Sequence, residues 1–293
     1  MSDFLFNPAR LTFHVPDLVS GLLLRGKKGA PRGLVGNGDC ILLDGALGLV
    51  GIADGTDRSP QASRRFLATL AREGAARWAR GGPPPGASEF LDLATAVLEQ
   101  FDYNERTTFL CLVPLERRRF LFLAGGDSLL LQVDPRRNTV SVLNKPNMGF
   151  TGRSREIVDF GGLEVGDDEL LVLATDGLWD LQGGSGQETL GFLAEALGAG
   201  PLEGAPRRLV EARHPAFCPE AGKPYDDMAL VLVRPFERGA FPHRVLLGGT
   251  DDRMESLYER RLKRRALPDT DLPLPDGSPS FWILPDALED LRL

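Results

Sequence analysis

Short apolar runs, each closed by Gly, Pro or Asp, recur over the first 235 residues and set the expected elements. Leu11–Val15 reads as a strand, followed to about residue 35 by a loop rich in Gly, Lys and Pro. Ile41–Leu43 and Leu47–Ala53 are two more strands, joined through the tight-turn pair Asp44-Gly45. Ser59-Pro60 then opens a helix, because Ser suits the N-cap and Pro the first helical turn. Phe66, Leu67, Leu70 and Trp78 fall on or near one face of it, and it is expected to end near Ala79. The loop from Gly81 to Gly86 follows. Ser88 is expected to cap a second helix with apolar Phe90, Leu91, Leu93, Ala94, Val97, Leu98 and Phe101.

The pattern next becomes that of an antiparallel meander: Thr108–Val113, Phe120–Ala124, Leu129–Val133 and Thr139–Leu143, with turn residues between. Leu170–Ala174 is another strand. Helical stretches at Glu188–Leu197 and Pro206–Ala212 lead to the strand Met228–Val233. Strands in blocks and helices in pairs predict an α+β layered fold rather than alternating βαβ units.

After Pro235 the texture changes. Met254–Leu267 carries Arg260, Arg261, Lys263, Arg264 and Arg265, a pattern expected of a solvated helical face. Pro268–Pro279 is linker-like, and Phe281-Trp282-Ile283-Leu284 looks like an anchor. The expected organisation is one domain at 1–235 and a C-terminal extension at 236–293, partly helical and without a separate core.

Composition narrows the function. The 293 residues carry a formal net charge of −7, which weighs against nucleic acid or an anionic membrane as the main partner. No apolar run approaches the roughly 18 residues of a membrane span. The start, Met1-Ser2-Asp3-Phe4-Leu5, lacks the basic stretch and apolar core of a signal peptide, so a cytoplasmic location is expected. Cys40, Cys111 and Cys218 fit neither a disulfide framework nor a zinc site, and are expected as small buried hydrophobes. His14, His214 and His243 show no ligand spacing. The pattern sets no oligomeric state.

The chemistry lies at the strand ends. Asn37-Gly38-Asp39, Ala53-Asp54-Gly55, Ala174-Thr175-Asp176-Gly177 and Tyr225-Asp226-Asp227-Met228 each put carboxylate at the edge of an apolar run. Carboxylates gathered from distant strand ends suit Mg²⁺ and Mn²⁺, which prefer hard oxygen ligands and keep several waters. Two such ions about 3.5–4 Å apart can bind phosphate oxygens and activate a bridging water. Asp39, Asp54, Asp176 and Asp226, with a backbone carbonyl such as that of Gly55, would be enough to hold them.

The order of these segments resembles the metal-dependent protein phosphatases, the PPM or type 2C Ser/Thr family, over roughly residues 10–235. Val50–Gly55 is similar to its first metal motif and Gly125-Gly126-Asp127-Ser128 to its Gly-Asp-Ser motif. Leu171–Asp180, ending Asp-Gly-Leu-Trp-Asp, is the closest match, and Tyr225–Met228 resembles its terminal motif. Arg106-Thr107-Thr108 replaces the usual Gly-Thr-Thr. The resemblance implies a β-sandwich of mainly antiparallel strands flanked by paired helices. It implies a phosphoserine/phosphothreonine phosphatase acting on phosphorylated proteins through a metal-bridging hydroxide, with two Mn²⁺ or Mg²⁺ ions and room for a third. Asp54 would bridge both ions, and Gly55 would add its carbonyl to the second. Asp176 and Asp226 would hold the first, Asp39 would hold waters of the second, and Asp127 with Asp176 would take the third.

The chain also departs from the family. Leu34 stands where an Arg often binds phosphate, leaving Arg32 and Arg58 as candidates. The stretch between Pro146 and Phe160 is short, so no large substrate flap is expected. The missing Arg leaves a second reading, an inactive relative acting as a binding module.

Overall fold

The computed structural model describes residues 10–24, 26, 37–56, 58–78, 85–147, 151, 159–178, 186–198, 200–206, 208–209, 226–241, 244–251 and 271–273. In chain order the strands are β1 (Arg10–Val15), β2 (Val19–Leu24), β3 (Asn37–Asp44), β4 (Leu49–Asp54), β5 (Phe109–Glu116), β6 (Arg119–Gly125) and β7 (Leu129–Asp134). They continue as β8 (Thr139–Val142), β9 (Asp159–Glu164), β10 (Leu170–Ala174), β11 (Met228–Val233), β12 (Arg244–Thr250) and β13 (Asp271–Pro273). The helices are α1 (Gln61–Arg77), α2 (Ala87–Leu98) and α3 (Gly186–Gly198). Among the described residues the strands form two sheets, ordered β13-β1-β2-β11-β10-β7-β8 and β12-β3-β4-β5-β6-β9. All described pairings are antiparallel except β1 with β13.

The period-2 alternation of side chains explains why the central strands are apolar throughout. In β10 and β11, Leu171, Leu173, Val231 and Val233 join the core between the sheets. Their neighbours Leu170, Val172, Leu230 and Leu232 pack with Leu193 and Leu197 of α3. Helices α1 and α2 cover the other sheet: Phe66 stacks on Phe109 with ring centroids 4.5 Å apart and meets Phe101 edge-on at 5.9 Å. Each fully buried Leu or Phe is worth roughly 1.5–3 kcal/mol of transfer energy. This is the α+β sandwich with helices on both outer faces that the sequence predicts.

Four details differ from the sequence reading. The segment expected as loop after Val15 holds β2, a central strand between β1 and β11. Ser20-Gly21 interrupts its apolar run, and the glycine is needed there: a Cβ on Gly21 would lie 2.2 Å from the Phe13 ring. Second, the expected meander is split. β5 and β6 belong to one sheet, β7 and β8 to the other, and Gly125-Gly126-Asp127-Ser128 carries the chain across. Third, both helices start elsewhere. The N-cap of α1 is Pro60, with no side-chain cap, and that of α2 is Gly86, whose N–H is accepted by Glu89 Oε2 at 2.9 Å. Edge strand β9, split by Gly161-Gly162, is a further strand that the apolar pattern misses.

The sequence reading divides the chain at 235, and the sheet hydrogen bonds continue past it. Phe236 and Phe241 are buried, and β12 pairs with β3. The basic stretch Met254–Leu267 and the Phe281–Leu284 anchor lie outside the described residues, as does most of Pro206–Ala212. No described helix is long and apolar enough to cross a membrane.

Candidate metal centre

The pairing of β3 with β4 sets Asp39 directly opposite Asp54. Like charges in that position repel and destabilise a sheet. Asp176 follows β10 and Asp226 precedes β11, and these two strands run antiparallel, so both residues stand at one end of the seven-stranded sheet. Asp127, on the crossing between the sheets, precedes β7, whose Leu129 pairs with Ala174 of β10. All five carboxylates expected from the sequence thus converge at one end of the sandwich.

Their electrostatics reflect this. Burial first, then the carboxylates of Asp176, Asp226, Asp127 and Asp227, push Asp54 well above the ordinary carboxylate range. Asp39, 1 % exposed, is pushed up by burial, then by Asp54 and Asp227, against a lowering hydrogen bond from Thr175. Asp127 is raised by burial and, more weakly, by Asp226. The largest charge effects at Asp54 all come from other carboxylates, an arrangement that calls for a cation.

The backbone around Asp54 is held on both sides. Thr107 Oγ1 donates to the Asp54 carbonyl at 2.7 Å, the Thr108 N–H donates to the same carbonyl at 2.8 Å, and the Asp54 N–H is accepted by Thr108 Oγ1 at 3.1 Å. The Thr-Thr pair therefore fixes the bridging candidate, while Thr108 Oγ1 also meets Ser128 Oγ at 3.0 Å. The Gly55 N–H donates to the Gly38 carbonyl at 2.9 Å, and a Cβ on Gly38 would come within 2.4 Å of the Gly55 carbonyl oxygen. Only glycine at 38 leaves room for that carbonyl.

One residue of the motifs carries a role the sequence does not indicate. Asp227 accepts the N–H of Gly26 at 2.6 Å through Oδ1 and that of Gly38 at 2.6 Å through Oδ2. It ties the chain after β2 to the start of β3. Both of its oxygens are engaged by backbone, and Asp226 accepts the Asp227 N–H at 3.1 Å through Oδ1. Adjacent acidic residues give no signal in sequence of which faces an ion and which a backbone.

The donor set fits a hard divalent cation. Asp127 Oδ1 is buried without a hydrogen-bond partner, the cluster is rich in carboxylate, and the space above Gly38 admits a carbonyl. Among the described residues no three acidic, His or Cys side chains are set as a ready-made cage for one ion. Ions that keep much of their water need few protein ligands.

Of the phosphate candidates, Arg58 is exposed on the loop between Gly55 and α1, while Arg32 and Leu34 lie outside the described residues. Cys40 and Cys111 are buried and free, and burial pushes the Cys40 thiol up to about 12 and that of Cys111 higher still. They are inert packing residues, as expected. Cys218, His214 and His243 lie outside the described residues.

The profile of the family described as Stage II sporulation protein E (SpoIIE) matches residues 45–236. The chain belongs to the SpoIIE family. That stretch contains Asp54, Gly55, Asp127, Asp176 and Asp226, so the family match and the carboxylate cluster coincide. No curated protein matches the chain in sequence. Solved structures share its fold. The PPM Ser-Thr phosphatase MsPP from Mycobacterium smegmatis, in complex with cacodylate, superposes with a TM-score of 0.55 at 18 % identity, covering 76 % of this chain and 100 % of its own. The catalytic domain of the serine threonine protein phosphatase PstP, in complex with two manganese ions, gives 0.56 at 17 %, covering 77 % and 99 %. RsbX in complex with magnesium gives 0.53 at 12 %, covering 77 % and 98 %. The fold of this SpoIIE-family chain is therefore the PPM phosphatase fold, the resemblance read from its motifs.

Proposed function

We propose that this protein is a metal-dependent phosphatase that hydrolyses phosphoserine and phosphothreonine on proteins, using Mn²⁺ or Mg²⁺. The observation that carries the reading is the convergence of Asp39, Asp54, Asp127, Asp176 and Asp226 from five separate segments of both sheets. A structural protein gains nothing from buried carboxylates that raise one another. The manganese and magnesium bound to the PstP and RsbX structures support this choice of ion.

Asp54 would touch both ions, Asp176 and Asp226 the first, and the Gly55 carbonyl the second, with Asp39 acting through water. Asp127 would serve a third, looser ion. When bound, such ions neutralise phosphoryl oxygens and make a bound water acidic enough to act as nucleophile near neutral pH. The protein's own part is positional. The Thr107–Thr108 clamp holds the Asp54 backbone, Gly38 makes room for the Gly55 carbonyl, and Thr175 orients the Asp39 carboxylate. Held geometry of this kind can remove several kcal/mol from a barrier.

The test is hydrolysis of a phosphothreonine peptide with Mn²⁺, with Mg²⁺ and with chelator. Turnover with metal that chelator abolishes is the expected result. Protein that binds Mn²⁺ but turns over neither phosphopeptide nor aryl phosphate would instead match the binding-module reading.

A further inference from the structure

The end of β12 lies against the metal centre, although the SpoIIE profile ends at Phe236, before this strand begins. β12 adds itself to the free edge of β3, the strand that carries Asp39. Its pairing with β3 shifts register between Gly248 and Thr250. Gly248 and Gly249 there have φ of 80° and 59°, the left-handed region that favours glycine. A Cβ on Gly248 would lie 1.9 Å from the Asp39 carbonyl oxygen, and one on Gly249 would lie 2.4 Å from Arg64 Cβ. The register shift sets two residues of β3, Gly38 and Asp39, opposite the single Gly249, and Gly248-Gly249 fits between the Asp39 backbone and the first turns of α1.

Polar contacts fasten it on both sides. The buried Arg64 donates from a terminal guanidinium nitrogen to the Gly248 carbonyl at 2.7 Å. Thr250 Oγ1, 1 % exposed, accepts the Asn37 N–H at 3.3 Å, and Asn37 Oδ1 in turn accepts the Asp39 N–H at 3.0 Å. Gln61 Nε2 donates to Asp251 Oδ2 at 2.5 Å. The helix is also tied directly to β3, where Ser63 Oγ donates to the Gly38 carbonyl at 2.6 Å. One strand end therefore grips both the Asn37–Asp39 segment and the start of the helix that follows Asp54-Gly55.

We infer that Thr250 and Asp251 are positioning residues for the metal centre, so that the segment after the matched family domain helps set its metal affinity. This rests on the metal-site reading above. Bulges that re-aim a neighbouring strand at functional sites are a known use of this irregularity, and groups that orient ligands without touching the ion are felt in affinity. Thr250 acts through Asn37 on the Asp39 backbone. Asp251 acts through Gln61 on the beginning of α1.

The experiment measures Mn²⁺ affinity of the full chain by calorimetry or by electron paramagnetic resonance of free Mn²⁺, without any turnover. Thr250→Val keeps shape and removes the acceptor, Thr250→Ser restores it, and Gln61→Ala removes the exposed link to Asp251. Thr250→Val is expected to weaken Mn²⁺ binding about threefold to tenfold, the size of one lost hydrogen bond. Thr250→Ser should bind like wild type, and Gln61→Ala should weaken binding about twofold to threefold. If Thr250→Val does not fold, Gln61→Ala alone decides. Wild-type protein that binds Mn²⁺ with unchanged affinity in every folded variant overturns the inference. Wild-type protein that takes up no Mn²⁺ overturns the metal-site reading and this inference with it.

Discussion

Thr175, after β10 of one sheet, donates its hydroxyl hydrogen to Asp39 Oδ2 on β3 of the other, at 2.5 Å. The same Oγ1 accepts the Ala229 N–H at 2.8 Å. The hydroxyl hydrogen is directed at the carboxylate, which in its ionised form can only accept. The bond crosses the sandwich at the carboxylate cluster, and it lowers the pKa of an Asp that burial and neighbouring charges raise.

Thr175→Val should therefore cost more than a surface change. It leaves the buried Ala229 N–H without its acceptor and removes a neutral donor to the Asp39 carboxylate. The expected loss is about 1–3 kcal/mol in urea unfolding, with weaker Mn²⁺ binding as well. Thr175→Ser should recover most of both. A valine variant as stable and as tight-binding as wild type would show that the inter-sheet bond matters little.

Asp54→Asn should do the opposite in metal-free protein. Asp39 and Asp54 have folded-state pKa values raised above those of the unfolded chain. The folded protein then holds protons that the unfolded chain releases. The stability this gives is full below the ordinary carboxylate pKa and is lost as pH rises through the raised values. With chelator present, wild-type Tm should fall as pH climbs from the acid side towards neutrality. Asp54→Asn removes one charge of the cluster and should flatten that fall. Near neutral pH it should gain about 1 kcal/mol, or about 2–4 °C. Thermal unfolding in chelator across the range about pH 5–8 measures it. With Mn²⁺ in excess the variant should lose this advantage, and it should lose activity by several orders of magnitude.

The strands that carry ligands were legible because each is a short apolar run ended by Asp, and a buried strand can stop only where a turn or a ligand takes over. β3, β4, β10 and β11 are found in this way, and with them Asp39, Asp54, Asp176 and Asp226. β2 was not legible, since Ser20 and Gly21 break the run, the glycine making room for the Phe13 ring. β12 escapes for a similar reason: Gly248-Gly249 interrupts its apolar run, yet the pair packs against Asp39 and Arg64 where the β3 pairing shifts register. The split of the strand block between two sheets depends on where Gly125–Ser128 sends the chain, which is a tertiary choice. The backbone role of Asp227 was hidden because its partners, Gly26 and Gly38, are about 200 positions away in sequence.

Asp227 gives the next prediction. Its two oxygens hold the N–H groups of Gly26 and Gly38, and its charge adds to the raised state of Asp39 and Asp54. Asp227→Ala releases both backbone groups and lets the β3 start move, which should lower kcat/KM about tenfold or more. Asp227→Asn keeps one acceptor and sheds a charge, so its loss should be smaller and its Mn²⁺ binding weaker than wild type. Were alanine and asparagine equally impaired in Mn²⁺ affinity and kcat, charge rather than backbone bonding would be the function of this residue.

The final prediction concerns the phosphate. A dianion held by metal ions alone is loosely oriented, and an Arg fork normally fixes it through paired charge-assisted hydrogen bonds. Leu34 occupies the position where the resemblance places that Arg, which makes Arg32 and Arg58 the candidates for this task. Arg58 is exposed on the loop directly after Asp54-Gly55, within a few residues of the bridging candidate. Arg32 precedes the Asn37–Asp39 segment and is the nearer in sequence to the vacant position. Arg32→Ala is expected to raise KM for small phosphate esters, or to lower kcat/KM, by about tenfold or more, as fits a lost charge-assisted contact of about 1.5–3 kcal/mol. Arg58→Ala should have the smaller effect on aryl phosphates, since a freely solvated guanidinium must first lose rotamer freedom to hold an anion. Lys at either position would keep charge but not the fork, so Arg32→Lys should recover only part of the loss. Steady-state kinetics on p-nitrophenyl phosphate and on a phosphothreonine peptide separate the two arginines. Unchanged constants in both alanine variants would mean that this site orients phosphate without either loop.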